Sequence, residues 1–129
     1  MSEPYAPDGY PRVTPYLTIS GAHIILDFLV AVFGARVIDR TEGPDGKIAH
    51  GAVRIGDSTI ELAEATDRFG SMPGAIHIYV PDVDHAHKLA LENGAEAIHD
   101  PMDMEYGERA SAVKDTAGNH WYIATYQRG

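Results

Sequence analysis

Tyr16, Glu61, His77, Tyr79, His120 and Tyr122 fall on one parity of strand-like segments, and residues of these types support two kinds of chemistry. Phenol rings stack on planar or apolar ligands while a carboxylate or an imidazole fixes their orientation. A carboxylate such as Glu61 can also abstract a proton beside a carbonyl, with His77 or His120 as the acid, once burial brings its pKa towards neutrality. Thr14, Thr18, Thr59 and Ala63 share this parity, and Ile48, His50, Ala52 and Arg54 are assigned to the same side. A face open to water would carry Lys and Glu. This one is rich in aromatic and histidine side chains, which predicts a partly enclosed, moderately polar cavity. Tyr and Thr also suit the wet face of a half-buried strand by propensity alone.

The elements that must hold these residues occur twice. Thr14-Pro-Tyr-Leu-Thr-Ile-Ser20 recurs as Ala75-Ile-His-Ile-Tyr-Val-Pro81, and Ile60-Glu-Leu-Ala-Glu-Ala65 as Trp121-Tyr-Ile-Ala-Thr-Tyr126, both at a spacing of 61 residues. Phe33-Gly34-Ala35 and Asn93-Gly94-Ala95 place a glycine where each helix needs a left-handed stop. The pattern predicts strands at 12–20, 35–41, 47–55, 58–64, 74–80, 95–99, 108–114 and 119–126, with helices at 23–33 and 83–93. This is an α+β arrangement of two βαβββ modules, about 12–66 and 73–126, in one domain over 12–129. Ile25, Phe28, Leu29, Val32 and Phe33 form one apolar stripe on the first helix. The second helix offers Val83, Ala86, Ala90 and Leu91, interrupted by His87, which with His85 is expected at the surface. Leu17, Ile19, Ile60, Leu62, Ile76, Ile78, Val80, Trp121 and Ile123 are expected beneath the helices.

Bulk properties narrow the classes of partner. The 129 residues suffice for one hydrophobic core, and a formal charge of −9 without Lys/Arg clusters disfavours nucleic acid and anionic lipid. There is no cysteine, which removes disulfides, thiolate metal sites and cysteine nucleophiles. No apolar run is long enough to span a bilayer and no signal peptide is evident, so a cytoplasmic protein is expected. Residues 1–11, rich in Pro and Gly, are expected to form an extended arm whose Tyr5 and Tyr10 pack on the domain or stay mobile.

Several stretches resemble the vicinal oxygen chelate superfamily of glyoxalases, bleomycin-resistance proteins and extradiol dioxygenases, and more narrowly its PhnB-like branch. They are Val13–Ser20, Asp27-Phe28 before Phe33-Gly34-Ala35, Gly43–His50, Arg54–Ser58, His77–Asp84, Tyr106-Gly107-Glu108-Arg109 and Asp115–Trp121. The resemblance implies a U-shaped, mostly antiparallel eight-stranded sheet, with the ligand on the concave face, helices on the convex face, and a homodimer. It also implies four metal-ligand slots, which fall here on Thr14, Glu61, Ala75 and Tyr122. Only Glu61 is a good ligand for a divalent cation, so the usual site is missing and no cofactor is expected. A shifted set of His50, Glu61, His77 and His120 could supply three nitrogens and a carboxylate for zinc, iron, nickel or manganese. A two-residue shift moves a ligand by roughly 6–7 Å, which rarely preserves a coordination sphere.

The segment 100–109 is apolar for a loop, and Met102, Met104 and Tyr106 are expected either to form a lid or to bury against the sheet end or a second subunit. Arg109 is a candidate for a ligand carboxylate, or for pairing with Glu108 or Glu61. The reading favoured by these residues is a metal-independent small-molecule binding protein using Tyr16, His50, Glu61, His77, Tyr79, Tyr106, Arg109 and Tyr122. The alternatives are a glyoxalase-like lyase, isomerase or dioxygenase with Glu61, His77 and His120 as catalytic groups, and a purely structural dimerising domain.

Overall fold

The computed structural model describes residues 5–127. Its elements run β1 (Tyr16–Ile19), α1 (Ala22–Phe33), β2 (Arg36–Glu42), β3 (Ile48–Ile55), β4 (Ser58–Glu64), β5 (Ala75–Tyr79), α2 (Val83–Glu92), β6 (Glu96–Asp103), β7 (Glu108–Lys114) and β8 (His120–Tyr126). They form two four-stranded mixed sheets, ordered β1-β4-β3-β2 and β5-β8-β7-β6. In each sheet one parallel pair sits beside two antiparallel pairs. The chain divides into two compact units, the second comprising residues 31–33 and everything from Pro73 onward.

In the first unit, Ile25, Leu26, Phe28 and Leu29 of α1 are buried, as are Leu17, Ile19, Val53, Ile60 and Leu62 of the sheet. Gly51 makes the close approach possible, because a Cβ there would lie 3.2 Å from a Leu26 methyl. Gly21, at φ 79°, supplies no side-chain cap to α1. The Glu64 carboxylate at the end of β4 takes over, accepting the Gly21 N–H at 3.0 Å and the Ala22 N–H at 3.1 Å. An anion there also suits the positive end of the helix dipole. Gly34 and Gly94, at φ 66° and 96°, hold the left-handed positions after the helices, as the sequence pattern predicts.

In the second unit, α2 lies against β6, β7 and β8. Its buried stripe is Val83, Ala86, His87 and Ala90. The sequence expectation needs correcting here: Leu91 is exposed, while His87, expected at the surface, is 5% exposed. Ser111 of β7 points towards the helix and exchanges a 2.9 Å hydrogen bond with His87 Nδ1, which gives the ring a partner inside. His85 is exposed.

Buried Asp115 organises the turn between β7 and β8. Its carboxylate accepts N–H groups from Ala117, from the Asn119 backbone and side chain, and from Trp121 Nε1 at 2.7 Å. Asn119 in turn accepts the Gly74 N–H at 2.9 Å, fixing the entry to β5 beside β8. This network sets the register in which His77 pairs with Tyr122.

The largest departures from the sequence pattern lie in β1, β6 and the N-terminal arm. β1 begins at Tyr16 rather than 12, since Pro15 has no N–H for the ladder. β6 continues to Asp103 through Pro101, which an edge strand tolerates, so the expected loop shrinks to residues 104–107 and Met102 is a strand residue. The arm is not extended over residues 5–11. It turns back, with Tyr10 N–H on the Pro7 carbonyl, and the Gly9 carbonyl accepts from Arg54 at 2.7 Å and Thr59 at 3.1 Å. Tyr5 is exposed and Tyr10 half-buried.

Candidate functional site

Each sheet turns one face to its helix and presents a second face whose side chains can act on a ligand. In the first unit, the pairing register places Tyr16, Glu61, Ala52 and Asp39 in one row across β1, β4, β3 and β2. Asp39 enters this row through a bulge. Val37 pairs with Val53 and Asp39 with Ala52, so Ile38 is an extra residue that reverses the facing of the residues after it. A second bulge at Ala49 turns Ile48 to the helix side, where it meets the Gly51 position; its assignment to the ligand face is thereby corrected.

The result is a histidine held between two acids. His50 Nδ1 lies 2.6 Å from Asp39 Oδ2 and Nε2 lies 2.9 Å from Glu61 Oε1. Hydrogen bonds to Asp39 and then to Glu61 raise the His50 pKa above the ordinary imidazole value. The same contact with His50, aided by the Thr41 hydroxyl, lowers that of Asp39. When protonated, His50 donates from both nitrogens, one of them to Glu61 Oε1. The Tyr16 ring stands 6.1 Å from the imidazole, tilted by 44°.

The second unit repeats the backbone plan with different side chains. His77, Tyr122, Ala112 and His99 form the corresponding row, and a bulge at Ile98 again brings the next residue onto the face. Tyr79, Ala124, Ala110 and Met102 form the row beside it. Small residues on the central strands and taller ones on β5 and β6 make a trough. A cleft of about 340 Å³ occupies it, with His77, His99, Met104, Tyr106 and Tyr122 on its walls and Ala110 on its floor. The His77 and Tyr79 rings pack at 4.7 Å, and the Tyr79 hydroxyl donates to Glu108 at 2.7 Å. That bond to a carboxylate raises the Tyr79 pKa, keeping its proton in place.

Of the residues expected to bind ligand, Tyr16, His50 and Glu61 come together in the first unit and His77, Tyr79, Tyr106 and Tyr122 in the second. His120 sits one step along the face, with Nδ1 3.3 Å from the Tyr122 hydroxyl. Arg109 does not join them. It pairs with Asp84 of α2 at 2.8 Å and with Asp103 at 3.3 Å, rather than with Glu108 or Glu61. Those two carboxylates push its pKa further up. Asp39 and His99 escape sequence reasoning because they reach the face only through bulges, and Glu108 enters it only within the Tyr106–Arg109 motif and as a pairing partner for Arg109, not as a site residue.

The four positions that the resemblance assigns as metal slots offer few free donor atoms. Ala75 has no donor atom, the Thr14 hydroxyl is turned to the Pro11 carbonyl, Tyr122 contacts His120, and Glu61 is engaged by His50. As for the shifted set, no group of three or more His, Asp or Glu side chains among the described residues is placed to hold a metal ion. No helix among them is long and apolar enough to cross a membrane.

Two mixed sheets, each built from a strand, a helix and three strands, define a glyoxalase-type α+β fold. A family model, the Glyoxalase/Bleomycin resistance protein/Dioxygenase superfamily, matches residues 17–123, and the chain belongs to this superfamily. An uncharacterised protein of Mycobacterium bovis is 34% identical over 124 residues, covering 88% of this chain and 82% of that relative. Among solved structures, TioX from Micromonospora sp. ML1 superposes with a TM-score of 0.76 at 22% identity, over 90% of this chain and 98% of that one. TnmS3, an antibiotic binding protein from Streptomyces sp. CB03234, gives 0.69 at 18% identity, over 88% and 93%. At these identities the structural likeness establishes the fold.

Proposed function

We propose that this chain is a metal-independent small-molecule binding protein of the PhnB-like branch, holding a planar or largely apolar ligand on the site faces of its two sheets. The observation that carries this reading is the second unit's cleft, whose walls are imidazole and phenol groups over an alanine floor. Metal independence is supported by the donor chemistry of the slots, where alanine and threonine stand in place of ligands. The description of TnmS3, which shares the fold, as an antibiotic binding protein favours ligand binding for this chain. In this reading the protein is a cytoplasmic homodimer; sedimentation as a species of single-chain mass would remove the dimer.

One observation favours a second reading, a metal-free proton-transfer enzyme. Glu61, steadied by His50 and Asp39, is built like a base with a proton relay behind it. Calorimetric titration with a panel of planar aromatic antibiotics and metabolites separates the two. Binding predicts that His77→Ala and Tyr106→Ala each weaken affinity by about tenfold, the scale of one lost aromatic contact. Glu61→Gln should change it by less than about threefold. If Glu61→Gln instead abolishes binding or turnover while Tyr106→Ala has no effect, the cleft is misplaced and the proton-transfer reading takes over.

A further inference from the structure

We propose that Glu108, oriented by Tyr79, is the polar anchor of the second unit's cleft and selects ligands that carry a protonated amine on a planar aromatic body. The inference rests on reading that cleft as the ligand site. Glu108 opens β7 on the same face as Ala110, two residues before the cleft floor and two after Tyr106. It is 7% exposed. A carboxylate offers about four acceptor positions, and among the described residues Tyr79 is the one side chain that donates to it. Its sequence neighbour Arg109 is committed to Asp84 and Asp103 on the other side of the sheet. Among the described residues, no Lys or Arg lines the cleft.

One Glu108 oxygen accepts from the Tyr79 hydroxyl and the other accepts from no described side chain, so a bound ammonium at the cleft end would bring it a complementary charge and N–H donors. Tyr79 links this anchor to the stacking wall. Its hydroxyl holds Glu108 while its ring packs on His77, so a ring lying in the trough would bring a substituent near the carboxylate. An anionic substituent at the same point would meet a like charge.

The test uses naphthylmethylammonium, naphthylmethanol and naphthoate, three probes with one ring and three charges, titrated at about pH 8, above the ordinary imidazole range. The wild-type chain should bind the ammonium at least about tenfold more tightly than the carboxylate, the scale of one charge-assisted hydrogen bond. Glu108→Gln should reduce that ratio to below about threefold and leave the alcohol unchanged. Tyr79→Phe should weaken the preference without abolishing it, because the carboxylate remains but loses the hydroxyl that orients it; an unchanged preference would overturn the orienting role of Tyr79. Equal binding of cation and anion by the wild type, or a preference that survives Glu108→Gln, would overturn the assignment while leaving the cleft in place. Failure of all three probes to bind, or binding indifferent to His77→Ala and Tyr106→Ala, would overturn the cleft reading itself.

Discussion

Removing the Asp115 carboxylate should cost the second unit a large part of its stability, and the network states how much. The residue is 4% exposed, and Asn119 and Trp121, which depend on it, are fully buried. Asp115→Ala leaves three buried donors without an acceptor: the Asn119 backbone N–H, its side-chain amide and the Trp121 indole N–H. At about 1–3 kcal/mol for each orphaned group, the loss is roughly 3–6 kcal/mol once partial relaxation is allowed. That is a substantial part of the roughly 5–15 kcal/mol that holds a domain together. Asp115→Asn keeps an oxygen towards Ala117 and Asn119 but turns an NH₂ group towards the Trp121 and Asn119 donors, for a loss of about 2–4 kcal/mol. Urea unfolding measures both losses as shifts in midpoint at unchanged slope. Pairing each with Trp121→Phe isolates the indole contact, where a coupling of about 1–2 kcal/mol is expected. Strict additivity, or an Asp115→Ala loss below about 1 kcal/mol, would refute the claim that the turn is held by this carboxylate.

The His50 cluster should write its charge into the pH dependence of stability. The folded pKa of His50 is raised, so its contribution is complete below the unfolded imidazole value and fades as pH rises through the higher folded value. Asp39 is lowered, so its contribution is present above the unfolded carboxylate value and lost as pH falls through the lower folded one. The Tm gap between the wild type and His50→Gln should therefore be widest at about pH 5–6 and narrow towards both extremes; a gap independent of pH in thermal melts would contradict the hydrogen-bonded trio. At Gly9, φ is +83° and a Cβ would run into the Arg54 guanidinium. Gly9→Ala should release the arm, detected as faster proteolysis near the N-terminus with a Tm lowered by only a few degrees.

The larger plan was legible in the sequence because it is written in local signals. Gly34 and Gly94 stop their helices, and the alternation of Leu17, Ile19, Ile60, Leu62, Trp121 and Ile123 marks the buried face. Strand parity fails where an extra residue reverses it. Ile38 and Ile98 bring Asp39 and His99 onto the site face, while Ala49 takes Ile48 off it, and an isoleucine or alanine in a strand carries no mark of a bulge. His87 misleads for another reason. A polar residue on a helical stripe reads as surface unless its partner is known, and Ser111 is far away in sequence. Arg109 shows the same limit, since its place is set by Asp84 across the sheet, and no spacing rule links the two.

The duplicated bulge also explains how one backbone plan carries two chemistries. Tyr16, Glu61, Ala52 and Asp39 in the first unit correspond position by position to His77, Tyr122, Ala112 and His99 in the second. Alanine is common to both at the central strand, leaving room above the sheet, and the flanking positions differ. In the first unit they are occupied by a phenol and two carboxylates, and both acids hydrogen-bond to His50. In the second they are two imidazoles and a phenol, and the position equivalent to His50 is Ala110, which opens the floor of the cleft. The histidine-to-alanine difference, together with the changed flanking residues, accompanies the exchange of a hydrogen-bonded histidine–acid cluster for an open aromatic trough over the same strand plan. Glu108, on the same face of β7 but off this row, is held by the Tyr79 hydroxyl rather than by a histidine.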